Sequence, residues 1–99
     1  MIEYFKVNEL SIPVRLNRKA IILFEKKYNK GLSSLQDIGT EELSMLLFLG
    51  VCEGHKFLDI QNEYAKFEDF ETMLDEMDIS EFYEVAGKVI GSFFSKKKK

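Results

Sequence analysis

The chain has 99 residues, 45% of them hydrophobic and 31% charged, with a formal net charge of −3 and a single cysteine, Cys52. That length suits one domain with one modest core, and nine Phe with four Tyr exclude the aromatic-poor composition of a disordered chain. A lone cysteine excludes an internal disulfide and fits a reducing compartment, and the most apolar run, "LSMLLFLGVC", is ten residues long where a membrane span needs about twenty.

Taken in chain order, "IEYFKV" (2–7) has the composition of a strand, and "SIPVRL" (11–16) alternates Ile12, Val14 and Leu16 on one face. With Asn8-Glu9-Leu10 as the connection, they predict a small antiparallel hairpin whose second strand Pro13 confines to an edge. Two strands alone are marginal, so the hairpin must lean on helices. Asn17 is a good N-cap for "RKAIILFEKKYNK", in which Ala20, Ile21, Phe24 and Tyr28 share a face and Gly31 is the expected stop. Leu32, Leu35 and Ile38 of the following loop are expected to plug the core.

Thr40 is expected to cap the next helix, with Glu41 and Glu42 in its first turn and Leu43, Leu46, Leu47 and Val51 on its inner face. Gly50 and Gly54 stand four apart, which permits close approach of another element; Gly54 is also a candidate terminator. From 57 to 77, Phe57, Ile60, Tyr64, Phe67, Phe70, Leu74 and Met77 recur every three or four residues, a helical stripe with a candidate break around Ala65. Asp78 and Glu81 form a capping-box variant opening a last helix. Its inner face would be Ile79, Phe82, Tyr83, Ala86, Val89, Ile90 and Phe93. The expected fold is α+β: a small N-terminal antiparallel β-hairpin followed by about four amphipathic helices. Residues 1–94 would form the single domain and 95–99 a flexible lysine tail.

The net charge conceals segregation. Residues 1–30 hold seven basic and three acidic groups, residues 37–84 two basic and fourteen acidic, and residues 85–99 five lysines without an acid. Such asymmetry suits electrostatic contact within a molecule or between copies, and equally a solvated acidic coat on helix faces. Basic groups around the first helix (Arg15, Arg18, Lys19, Lys26, Lys27 and Lys30) and the four lysines at 96–99 could meet phosphates. The acidic middle opposes this, and no groove-reading motif accompanies it, so nucleic acid is not the expected partner.

No catalytic signature is present. Cys52 and His55 make a C-x-x-H pair, but zinc needs four ligands and the chain has no other Cys or His, so a structural role is expected for both. There is no G-x-S-x-G, G-x-G-x-x-G or phosphate-loop sequence, and no carboxylate pair stands out from the acidic helix faces. The expectation is a non-enzymatic protein without a cofactor. Glu3 and Lys6 interrupt the first apolar residues, so no signal peptide is expected to open the chain, and the location expected is the cytoplasm. Met73 and Met77 lie along the Phe70–Leu74 stripe, where core filling and an adaptable partner surface both stand open. Phe93 and Phe94, being adjacent, point about 100° apart on a helix.

The order of segments resembles the tail assembly chaperones of long-tailed bacteriophages. The likeness runs over about residues 13–94: an edge strand, "RLNRKAIILFEKKYNKGL", an apolar helix closing at "GHKF", and "FEDFETMLDEMDISEFYEVAGKVIGSFF". Arg15, Leu16, Lys19, Ala20, Ile21, Phe24, Glu25 and Lys26 match the family's opening pattern. The resemblance implies a protein that binds the tape measure protein in the host cytoplasm, keeps it from aggregating and is absent from the mature virion. It also implies a longer form, made by ribosomal frameshifting, that recruits tail tube protein; the four terminal lysines would mark the slip, which their codons decide. Partner contacts expected on this basis are Phe70, Met73, Met77, Phe93 and Phe94, with Arg15, Arg18 and Lys19, and copies would pair through opposite charge into a homo-oligomer. The alternatives are a small structural tail or head-completion subunit and, third, a nucleic-acid-binding module.

Overall fold

A computed structural model describes residues 2–29 and 39–94. Its N-terminal strands, β1 (Glu3–Val7) and β2 (Leu10–Val14), pair antiparallel with Phe5 opposite Ile12 and Val7 opposite Leu10. Cross-strand partners share a face, and Phe5, Val7, Ile12 and Val14 are all buried. The turn is shorter than the sequence suggests: Leu10 already belongs to β2, because Asn8 takes a left-handed conformation (φ 55°) that tightens the connection to Asn8-Glu9. Asparagine tolerates that conformation where bulkier residues do not.

The first helix, α1 (Arg18–Tyr28), begins as expected: the Asn17 side chain accepts from the Ala20 N–H at 2.9 Å, satisfying one orphan donor. It stops earlier than expected, on Asn29 in the left-handed conformation, since the bond from the Asn29 N–H to the Glu25 carbonyl closes its last turn. Gly31, Leu32, Leu35 and Ile38 lie outside the described residues.

The second helix, α2 (Thr40–Leu58), corrects two further expectations. Gly39, not Thr40, occupies the N-cap, and the Glu42 carboxylate reaches back to accept from the Gly39 N–H at 2.9 Å. A glutamate three positions into a helix has the reach for this. Gly54 does not terminate the helix, which runs on to Leu58 and ends at left-handed Asp59.

Both glycines instead admit the hairpin. A Cβ on Gly54 would lie 2.7 Å from the Pro13 carbonyl oxygen and 2.8 Å from its carbon; one on Gly50 would lie 2.7 and 2.8 Å from the side-chain tips of Val14 and Leu16. At this contact the Arg15 N–H donates to the Gly50 carbonyl at 2.9 Å. The hairpin end is thus bonded directly to the middle of a helix. Beside it, buried Glu53 accepts from the Asn17 side-chain amide at 3.2 Å and meets the ammonium groups of Lys56 at 3.5 Å and Lys19 at 4.0 Å. These bonds fasten the start of α1 to the later turns of α2.

The stripe from 57 to 77 is not one helix. Residues 59–66 are irregular, with the Asn62 side chain accepting from the Tyr64 N–H at 2.9 Å, a turn-forming bond that competes with helix. Phe57 and Ile60 consequently face solvent, 52% and 51% exposed. Helix resumes as α3 (Phe67–Leu74), where Phe67 and Phe70 pack on Phe48 of α2. The last helix, α4 (Ile79–Phe94), lays Phe82, Ala86, Val89 and Ile90 into the core, with Phe82 edge-on to Phe5 at 6.5 Å. Ile79 and Tyr83 are not on that inner face; they are 60% and 46% exposed. Among the described residues the fold is a mostly helical α+β arrangement of one hairpin and four helices. None of these helices is long and apolar enough to cross a membrane.

Gly54→Ala should therefore destabilise the protein by roughly 1–3 kcal/mol, since overpacking against backbone outweighs a gain in helix propensity of about 1 kcal/mol. Gly50→Ala should cost less, because side-chain tips can move aside. Thermal melts of both variants measure this; a Gly54→Ala protein at least as stable as the parent would contradict the close approach.

Candidate partner groove

Three element ends meet at one place: the start of α2, the end of α3 and the start of α4. The turn between α3 and α4 is tight, with the Asp75 N–H donating to the Glu71 carbonyl at 3.0 Å and the Met77 N–H to the Leu74 carbonyl at 2.9 Å. It leaves an open hollow of about 130 Å³ whose apolar lining is Leu74, Met77, Ile79 and Phe82. An adjoining hollow of about 330 Å³ shares Thr40, Ser44, Leu74 and Asp75 and adds Glu41 and Glu71. The hydroxyls of Thr40, which lines both hollows, and Tyr83 are hydrogen-bonded, joining α2 to α4. An apolar floor thus lies beside three carboxylates, and no Lys or Arg among the described residues lines either hollow.

Of the partner contacts expected from the sequence, Met77 is the one among the described side chains that lines this groove. Phe70 is fully buried against Phe48 and Tyr64, and Met73 is 8% exposed. Both belong to the core, so as direct partner contacts they are corrected: the stripe that carries them is the inner face of α3. Phe93 is half-buried against the core, and the Phe94 side chain lies outside the described residues. The basic trio stands elsewhere. Arg15 covers the Phe57 ring at 4.4 Å, Lys19 pairs with Glu53 and Arg18 is exposed. From Ser44 to Glu53 is about 14 Å along the axis of α2, so these cations and the groove do not form one site.

Ile79, Tyr83 and Thr40 were not singled out as contacts. A core assignment from periodicity alone places Ile79 inside, because position 79 fits the spacing; only the angle at which α4 leaves the turn puts it in solvent. The rim carboxylates were visible only as part of the acidic run.

A second exposed apolar group, Phe57, Leu58, Ile60 and Leu10, surrounds the end of α2 and the start of β2. Arg15 already covers part of it by stacking on Phe57. The C-x-x-H pair is packed into the same region. His55 Nδ1 donates to the Val51 carbonyl at 2.8 Å, Cys52 accepts a long bond from Asn62 at 3.7 Å, and burial pushes the Cys52 thiol up, away from the thiolate that a reactive cysteine needs. Among the described residues, no three His, Cys, Asp or Glu side chains gather closely enough to hold a metal ion.

Behind the acidic rim sits Tyr28, half-buried on α1, its hydroxyl without a hydrogen-bond partner among the described residues. Burial, reinforced by Glu41, Glu42 and Glu71, raises its pKa above the ordinary 10.0. The folded state therefore holds this proton more tightly than the unfolded chain. The associated stability is complete below pH 10.0 and is lost as pH rises through the folded value. Tyr28→Phe should match the parent at neutral pH, or exceed it by up to about 1 kcal/mol, since a buried unpaired hydroxyl is removed. It should also lose less stability on the alkaline side, as melts in a pH series would show. A variant clearly less stable at neutral pH would mean that the hydroxyl has a partner.

No family model matches the chain, and neither a curated protein nor a solved structure matches it.

Proposed function

We propose that this protein is a non-enzymatic assembly chaperone for the tail of a long-tailed bacteriophage, binding the helix-forming tape measure protein in the host cytoplasm and leaving before the virion is complete. The observation that carries the reading is the groove at the α2, α3 and α4 ends: Met77 and Ile79 on its apolar floor, Glu41, Glu71 and Asp75 at its rim. A client whose helices expose apolar stripes needs such a surface to stay dispersed, and docking a helix on it is an established mode of recognition. The likeness of segment order to tail assembly chaperones supports the same role. On that likeness, recruitment of tail tube protein falls mainly to a longer, frameshifted form.

Exposed cations on α1 and exposed carboxylates away from the groove, such as Glu63, Glu68 and Asp69, also suit association between copies along an extended client. Arg18, Lys19, Lys26 and Lys27 are exposed on α1, and a contact between unlike surfaces can repeat from copy to copy.

Co-expression with the tape measure protein of the same phage, followed by pull-down at low and high salt, tests the role. The expected result is a soluble tape measure protein retained at both salts, with the chain missing from purified particles. An insoluble tape measure protein, or the chain at stoichiometric level in particles, would overturn it; the second result would make it a structural tail subunit.

A further inference from the structure

We infer that the groove takes an amphipathic helix of the client whose apolar stripe is flanked by Lys and Arg. The inference rests on the groove being the client site and adds the chemistry of the segment recognised.

The hollow floored by Met77 and Ile79, about 130 Å³, is below the range of roughly 300–1,000 Å³ typical of small-molecule pockets. The larger one beside it, about 330 Å³, is lined mainly by Thr40, Ser44 and the carboxylates. The smaller hollow suits a single anchoring side chain. Around it the apolar surface continues along α4, because Ile79 and Tyr83 stand one turn apart and both face solvent. A helix laid across that surface would present apolar residues three or four positions apart. Its flanks would then meet Glu41, Glu71 and Asp75.

The electrostatics select the sign of those flanks. The groove faces the N-termini of α2 and α4, each with the equivalent of about half a positive charge. Three carboxylates line the groove, and Asp78 and Glu81 follow at the start of α4. Full negative charges therefore exceed the dipole contribution, and an anionic helix would be repelled.

Among the described residues the cationic helix face is that of α1, where Lys19, Leu23, Lys26 and Lys27 are exposed. It carries the right charge but a single well-exposed apolar residue, Leu23, which cannot cover Met77, Ile79 and Tyr83 together. No face of a second copy among the described residues satisfies both floor and rim, and a client helix of this chemistry does.

The test uses the full chain and two synthetic amphipathic peptides that share one Leu/Met stripe, one flanked by Lys and the other by Glu. Fluorescence anisotropy at low salt should show the Lys-flanked peptide binding at least about tenfold more tightly, with the gap closing as salt rises. Glu71→Lys combined with Asp75→Lys should reverse the preference. Ile79→Asp should abolish binding of the Lys-flanked peptide while keeping the parent's melting temperature, because Ile79 is exposed and an acid suits the first turn of a helix.

Equal affinities for the two peptides, or binding of neither, would overturn the inference. So would self-association of the chain that the charge-reversed variant loses while the Lys-flanked peptide fails to bind; that would assign the groove to a second copy. The peptides involve no phage protein, so the two readings fail separately. Tight Lys-flanked binding beside an insoluble tape measure protein upholds the groove chemistry and removes the phage role. A soluble tape measure protein beside indifferent peptides does the reverse.

Discussion

The close approach of α2 to the end of β2 sets the frame of the fold. Gly50 and Gly54 remove the side chains that would hold strand and helix apart. The Arg15 N–H then donates to Gly50, a helix-interior carbonyl with a second lone pair to offer. Once β2 is seated there, Val14 and Leu16 fill the space that a Cβ on Gly50 would occupy, and Asn17 is delivered within reach of Glu53. The start of α1 is thereby fixed against the later turns of α2. The direction of α1 then brings Tyr28 back towards Glu41 and Glu42 at the other end, so the two helices run antiparallel.

The groove is a consequence of that frame. With α2 held by the hairpin and α1, α3 packs on it through Phe48, Phe67 and Phe70, while α4 packs on β1 through Phe5 and Phe82. The α3–α4 turn must bridge two helices whose positions are set by different partners. Ile79 is left outside the core because α4 follows the hairpin rather than α3. Leu74 and Phe82 remain buried behind it, so the groove has a firm floor and needs no opening motion to expose apolar surface.

Much of this was legible in the sequence. The hairpin, the Asn17 cap, the inner faces of α1 and α2 and the two-glycine approach follow from periodicity, capping chemistry and the special geometry of glycine, all local properties. The errors fall where local and tertiary preferences compete. Phe57 and Ile60 keep helical spacing across a segment in which left-handed Asp59 and the Asn62 turn break the helix. Ile79 and Tyr83 fit the stripe of α4 but lie on a side that no element among the described residues covers. Thr40 has the chemistry of a cap, yet the Glu42 carboxylate moves the start of α2 to Gly39. Of the expected contacts on the α3 stripe, Met77 lines the hollow at the α3–α4 turn. Phe70 and Met73 lie on the same stripe and are core, since periodicity marks a face without saying what covers it.

Hydrogen exchange on the soluble complex distinguishes a client seated in the groove from one seated on the apolar group around Phe57. Binding of the tape measure protein in the groove should add protection over residues 40–44 and 74–83, with residues 57–60 exchanging as they do in the free chain. Protection at 57–60 with the groove unchanged would contradict the groove as the site and move the binding face to the opposite end of α2.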